Sequence, residues 1–256
     1  MATGLKPALL MKNHARTFAF TLIELLVVVA IIAILAALAI PAVTGALKRV
    51  QRTAALSNMR QVGFAFMHYS TDYNFQLPGR VIDGAKGNEK WPGLLAGYDT
   101  KGNYSPGDDY VKSVKIYVAP GYGQVDLGRK DLAQFLTTNS PNNTSWIMNG
   151  YNDIGAKTQP VSIYISLLSS PSETILLGMH KPGQNHFYMD FTDGDNKTVL
   201  DTRAYGTGAS AGSVYCMADG SSRFIGEAEY RKSAPSGNGC FGDWLWLANK
   251  SSPLPN

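Results

Sequence analysis

The residue that asks most clearly for a chemical explanation is Glu24. It is followed by sixteen residues, Leu25 to Ile40, without a polar side chain. An ionised group inside such a helix costs about 2.5–3.5 kcal/mol at a bilayer centre and less toward an edge. Three readings compete for the segment around it. A secretory signal would combine the basic Lys6, Lys12 and Arg16 with the apolar run and a cleavage site at Ala37-Leu38-Ala39. A plain uncleaved anchor needs only the run. A third reading cuts the chain between Ala19 and Phe20, before the apolar run. Only the third gives Glu24 a purpose: the cut creates a cationic amine at Phe20. In a packed assembly of such helices, Glu24 of one copy can neutralise that amine on a neighbour.

Other constellations are weaker. Gly208-Ala209-Ser210-Ala211-Gly212 satisfies the G-x-S-x-G pattern of a hydrolase elbow. That motif needs a strand before it and a helix after it, whereas Ser213-Val214-Tyr215 reads as strand, so a small-residue loop is expected. His180, His186 and Asp190 could be drawn as a two-His, one-carboxylate metal set. Pro182 and Gly183 between them remove any helical register that would align the ligands. The acidic segment with Asp190, Asp193, Asp195 and Asp201 offers calcium candidates, set against a solvated turn. Its spacing does not follow the EF-hand loop. Cys216 and Cys240 allow one disulfide and no framework of them. No catalytic set is expected, and no resident cofactor beyond the calcium candidates.

The run Phe20-Thr21-Leu22-Ile23-Glu24-Leu25-Leu26-Val27-Val28 resembles the N-terminal cleavage and methylation motif of type IV pilins and of type II secretion pseudopilins. Pro41, twenty-second after the cut, matches that family's helix-kinking proline. Ala19 stands where the family usually has glycine. The resemblance implies a prepilin peptidase that cuts between Ala19 and Phe20, N-methylation of Phe20, and assembly with other pilin or pseudopilin subunits through the helix. Glu24 and Pro41 would be the assembly residues. It also implies a cytoplasmic leader, an inner-membrane single pass and an exported head that ends in a pilus or pseudopilus. Some pseudopilins resemble calcium-dependent folds, which is the family's support for the acidic segment.

A second, fainter resemblance lies in the body, to the pilin-like family named for a His, nine residues and Asp-Gly. It rests on Trp146-Ile147-Met148-Asn149-Gly150-Tyr151, on Pro171-Ser172-Glu173-Thr174-Ile175-Leu176-Leu177 and on the segment around Asp219-Gly220. Ala209 stands in place of that His, and Val118-Ala119-Pro120 in place of a frequent Cys-Pro.

The elements that must position these residues follow from pattern. From Phe20 to Val43 the chain is apolar for about 24 residues, enough to cross a bilayer. Beyond Pro41, Leu47, Val50, Ala54, Met59, Val62, Phe66 and Tyr69 recur mostly every three or four residues, opposite Lys48, Arg49, Gln51, Arg52 and Arg60. That spacing predicts an amphipathic helix continuing to about 72. After residue 73 the helical period stops. Short apolar runs between Gly, Pro, Asn and Ser predict strands at 113–118, 145–151, 162–168, 174–179, 186–191, 213–218 and 222–226. Segments 78–109 and 120–144 read as loops, with one short helix near 129–136. Asp219-Gly220 predicts a tight hairpin turn, and residues 241–247 a packed aromatic patch.

The expected organisation is a leader at 1–19, a membrane-spanning and filament-core helix at 20–43, an amphipathic helix at 44–72 and a β-rich head at 73–256. The fold class is α+β, a long N-terminal helix packed on an antiparallel sheet with long loops. Charged residues make up only 16% of the chain, and the leader supplies three of the net +4 charges. No basic domain remains for nucleic acid. The function expected is a structural subunit. The alternative is an exported enzyme or carbohydrate-binding protein using a prepilin-like or secretory signal, its Tyr and Trp residues suited to sugar stacking.

Overall fold

The computed structural model describes residues 21–78, 90–98, 103–105, 109–122, 144–150, 164–184, 187–189, 198–232 and 246. The chain divides into two compact units, Met1–Ala46 and Leu47–Asn256. Helix α1, Leu22–Asp72, begins in the first and ends in the second. In the first unit every described residue is exposed, including the large apolar side chains from Leu22 to Val43. Pro41 lies inside the helix without ending it. Its ring removes one backbone donor, and the Thr44 hydroxyl donates to the Pro41 carbonyl at 2.9 Å.

In the second unit α1 becomes one-sided. Ala55, Met59, Val62, Gly63, Ala65, Phe66, Tyr69 and Ser70 are buried, a stripe at the helical period. The expected face therefore holds at Met59, Val62, Phe66 and Tyr69. It fails at Leu47 and Val50, which are 54% and 64% exposed. Burial on this helix begins only where side chains of the head reach it: Arg52 lies 4.6 Å over the Phe224 ring.

Among the described residues the sheet has five strands in the order β3-β1-β2-β4-β5. They are β1 Trp146–Asn149, β2 Ile175–Met179, β3 Tyr188–Met189, β4 Gly212–Met217 and β5 Ser222–Gly226. All pairs are antiparallel except β1 with β3, which run parallel at the edge. Strand β4 shows why the sheet stands in the middle. Val214 and Cys216 enter one core with the α1 stripe, Trp91, Trp146 and Tyr117; Tyr215 and Met217 enter a second with Ile147, Tyr230 and Trp246. Alternate side chains point to opposite faces, so β4 is buried at every position. In β2 the register slips between Ile175 and Leu177, which puts Leu176 and Leu177 into the same core. The Asn149 amide donates to the Ile175 carbonyl at 2.8 Å and to that of Trp246 at 2.9 Å.

Several expectations change. Residues 114–117 form a 3-10 turn rather than a strand. The Ile116 carbonyl accepts from the Trp146 indole at 2.8 Å, and the Asn58 amide donates to the carbonyls of Lys115 and Val118, so side chains from other elements satisfy this backbone. Residues 165–167 are likewise a 3-10 turn, next to a single bridge between Gln76 and Tyr164. Two short helices were not expected: α2, Trp91–Leu95, with Pro92 in its first turn, and α3, Glu227–Lys232. The predicted helix near 129–136 lies outside the described residues. Of the aromatic patch at 241–247, Trp246 is described and fully buried.

The hairpin between β4 and β5 forms as predicted, by a different turn. Gly220 alone takes a positive φ, 81°, while Asp219 does not. Gly220 N–H donates to the Met217 carbonyl and Met217 N–H to the Ser221 carbonyl. This is the three-residue loop with a left-handed glycine rather than the two-residue turn. The Asp219 carboxylate instead accepts from Ser221 N–H at 2.9 Å.

Candidate functional site

Helix α1 opens on a closed local circuit. The Thr21 hydroxyl accepts from Glu24 N–H at 3.3 Å. The Glu24 carboxylate in turn accepts from both the N–H and the hydroxyl of Thr21, each at 2.8 Å. The first turn of any helix leaves four N–H groups without helical partners, and this reciprocal pair satisfies one of them together with the cap's own. Sequence reasoning missed Thr21 as a site residue. Its signal was present as Thr-x-x-Glu directly before an apolar run, the capping box.

The pair fixes where Glu24 points: back toward the start of the helix, to the side from which the chain enters. Residues 22–46 that follow offer no other ionisable side chain. Ala19 and Phe20, the predicted processing pair, lie outside the described residues. Pro41 is seventeen positions past Glu24 and remains within unbroken helix. The helix is long and apolar enough to cross a membrane.

The other candidates separate. Asp190, Asp193 and Asp195 lie outside the described residues. Asp201 is described, and both carboxylate oxygens are engaged: one accepts from the Tyr122 hydroxyl, the other from Arg203 N–H at 2.7 Å. Its carbonyl also accepts from the Ser213 hydroxyl. His180 is buried, with Nδ1 facing the Lys181 carbonyl at 2.9 Å and Nε2 facing that of Thr144. The ring is engaged by backbone carbonyls at the end of β2; His186 lies outside the described residues. Among the described residues no three His, Cys, Asp or Glu side chains gather as a metal site.

Gly208–Ser210 is a 3-10 turn leading into β4, and the Ser210 hydroxyl donates to the Thr207 carbonyl at 2.9 Å. No helix follows, so the elbow geometry is absent here. Cys216 is a free, fully buried thiol. Burial pushes its pKa far up, and the thiol donates to the Met217 carbonyl at 3.3 Å. It is packing material rather than a nucleophile. Cys240 lies outside the described residues.

Residues 15–40 match the family model described as the prokaryotic N-terminal methylation motif. No curated protein matches the chain, and no solved structure does. The matched residues contain the apolar start of α1, Thr21 and Glu24, and the sheet-bearing unit lies beyond them. The chain thus carries a prepilin-type N-terminal methylation motif at the head of a long apolar helix, and in that segment it is similar to type IV pilins and pseudopilins.

Proposed function

We propose that this chain is a structural subunit. A prepilin peptidase cuts between Ala19 and Phe20, Phe20 is N-methylated, and the subunit waits in the inner membrane with its head exported. It then assembles with other pilin or pseudopilin subunits into a type IV pilus or a type II secretion pseudopilus. The observation that carries the reading is the first part of α1: an apolar surface exposed all round, whose one acid sits at the helix start. A helix apolar on every side is stable only when buried in lipid or among other helices. Membrane residence and filament assembly supply those two surroundings in turn.

Within this reading Thr21 has a clear part. It satisfies the Glu24 carboxylate inside the single chain, lowering the cost of holding an acid at the membrane. On assembly the carboxylate can exchange this local partner for the amine of a neighbour's Phe20. The structural role also fits a head in which Asp201, Asp219 and the Cys216 thiol bond to its own backbone.

Mass spectrometry of the mature protein tests the reading. The expected product begins at N-methylated Phe20. A chain that starts at Ile40 would mean a cleaved secretory signal and would remove the proposal's foundation.

A further inference from the structure

The cations of α1 are concentrated. Between Leu25 and Thr71 the helix holds no acid, and its lysines and arginines are Lys48, Arg49, Arg52 and Arg60. Three of the four fall within five residues, beginning just past the boundary between the units at Ala46. Helices exposed to water gain from opposite charges at i and i+4, whereas Lys48 and Arg52 form a like pair at that spacing. Between described residues the ion pairs are Arg203–Glu227 and Arg231–Glu227. Neither involves this band. Arg52 is taken up by the head, over Phe224. Lys48 and Arg49 are exposed, and the apolar Leu47 and Val50 beside them are exposed too.

We propose that Lys48 and Arg49 bind the phosphates of anionic phospholipid headgroups in the leaflet facing the head. This rests on the reading of α1 as a membrane span. A hydrocarbon core of about 30 Å takes about 20 helical residues, and the headgroup layers add several ångström on each side. Counted from Leu25, the hydrocarbon is used up near Thr44, and the next turn lies among headgroups. Lys48 and Arg49 occupy that turn. Leu47 and Val50 lie against the outer edge of the acyl layer, while the long stems of the two cations carry their charges to the phosphates. Cations on the exported side run against the usual bias of membrane proteins, and an anionic partner there would offset it. The acid-free helix around them provides none.

The test uses the full-length protein in vesicles of phosphatidylcholine mixed with phosphatidylglycerol. After extraction into mild detergent, native mass spectrometry counts which lipid stays bound. The wild type should retain phosphatidylglycerol in preference. The Lys48→Gln/Arg49→Gln variant should lose about fivefold of that preference per cation removed, and raised salt should erode it in the wild type. Arg52 is left in place because it packs on the head.

Equal retention by both proteins, or no preference in the wild type, overturns the proposal. Alkaline carbonate distinguishes the deeper failure. A wild-type chain stripped from the vesicles is no membrane span, whereas one that stays without lipid preference refutes the headgroup site alone.

Discussion

Two glycines on the same helix show how differently the two units use it. At Gly45, in the first, an added methyl would meet nothing within 4 Å. At Gly63, in the second, it would lie 2.5 Å from the Gly220 carbonyl oxygen and 2.8 Å from the Cys216 sulfur. One glycine faces open space and the other is the floor of a notch that receives the β4–β5 turn. The same contrast runs through their neighbours: Leu25 to Val43 are exposed apolar residues, while Met59, Val62 and Phe66 are fully buried. The second half of α1 finds its partner within the chain. The first half has no such partner among the described residues; on the proposed reading, lipid and other copies supply it.

Substituting the two glycines is the strongest way to break that comparison. Gly63→Ala should destabilise the head by about 1–3 kcal/mol through overpacking, or roughly 2–4 °C of melting temperature per kcal/mol in a domain of this size. Gly45→Ala should leave head melting unchanged, since alanine favours helix and meets no neighbour. Calorimetry on both variants decides; equal effects would mean that the notch does not constrain the head.

A smaller effect is expected from alkaline pH. Burial first, and neighbouring Tyr73 second, push the Tyr69 phenol up to about 12 from 10. The folded head thus keeps that proton while the unfolded chain loses it. The associated stability is complete below pH 10 and lost as pH rises through about 12. Tyr69→Phe should therefore flatten part of the fall in melting temperature between those values. An unchanged slope would remove Tyr69 from the account.

The smallest expected effect on the head is that of Glu24→Ala. It lies in the other unit, and head melting should not move. Membrane insertion should persist and filament assembly should fail, as seen by electron microscopy of cells carrying the variant. Normal filaments would end the charge-pairing role.

The sequence made these regions legible to different degrees, for physical reasons. The first part of α1 could be read because lipid-facing helices obey a composition rule that needs no tertiary context. The hairpin could be read because Asp-Gly encodes its own turn, although the conformation chosen puts only Gly220 in the left-handed region. Residues 114–117 could not. Val114, Ile116, Tyr117 and Val118 look like a strand, yet the Ile116 carbonyl accepts from Trp146 and that of Val118 from Asn58, on elements far along the chain.

The parallel edge pairing of β1 and β3 was hidden for a similar reason. It depends on how residues 187–189 return to the sheet, where Phe187 accepts from the Met148 N–H at 2.8 Å. Leu47 and Val50 failed in the opposite sense: their period was right, and the head does not reach them. At the helix start, Glu24 was identified through the cost of its charge, while its partner Thr21 required only a four-residue capping pattern.

The Gly63 notch has a mechanical side. A pull along the second half of α1 does not peel the helix from the sheet one side chain at a time. The Gly220 turn sits across its path, and the Asn58 amide grips two carbonyls of the 114–118 turn. Such a load meets these contacts in shear, all at once, so the head follows the helix as a single piece. On the proposed reading, a subunit drawn out of a membrane by α1 would carry its head along without first unfolding it.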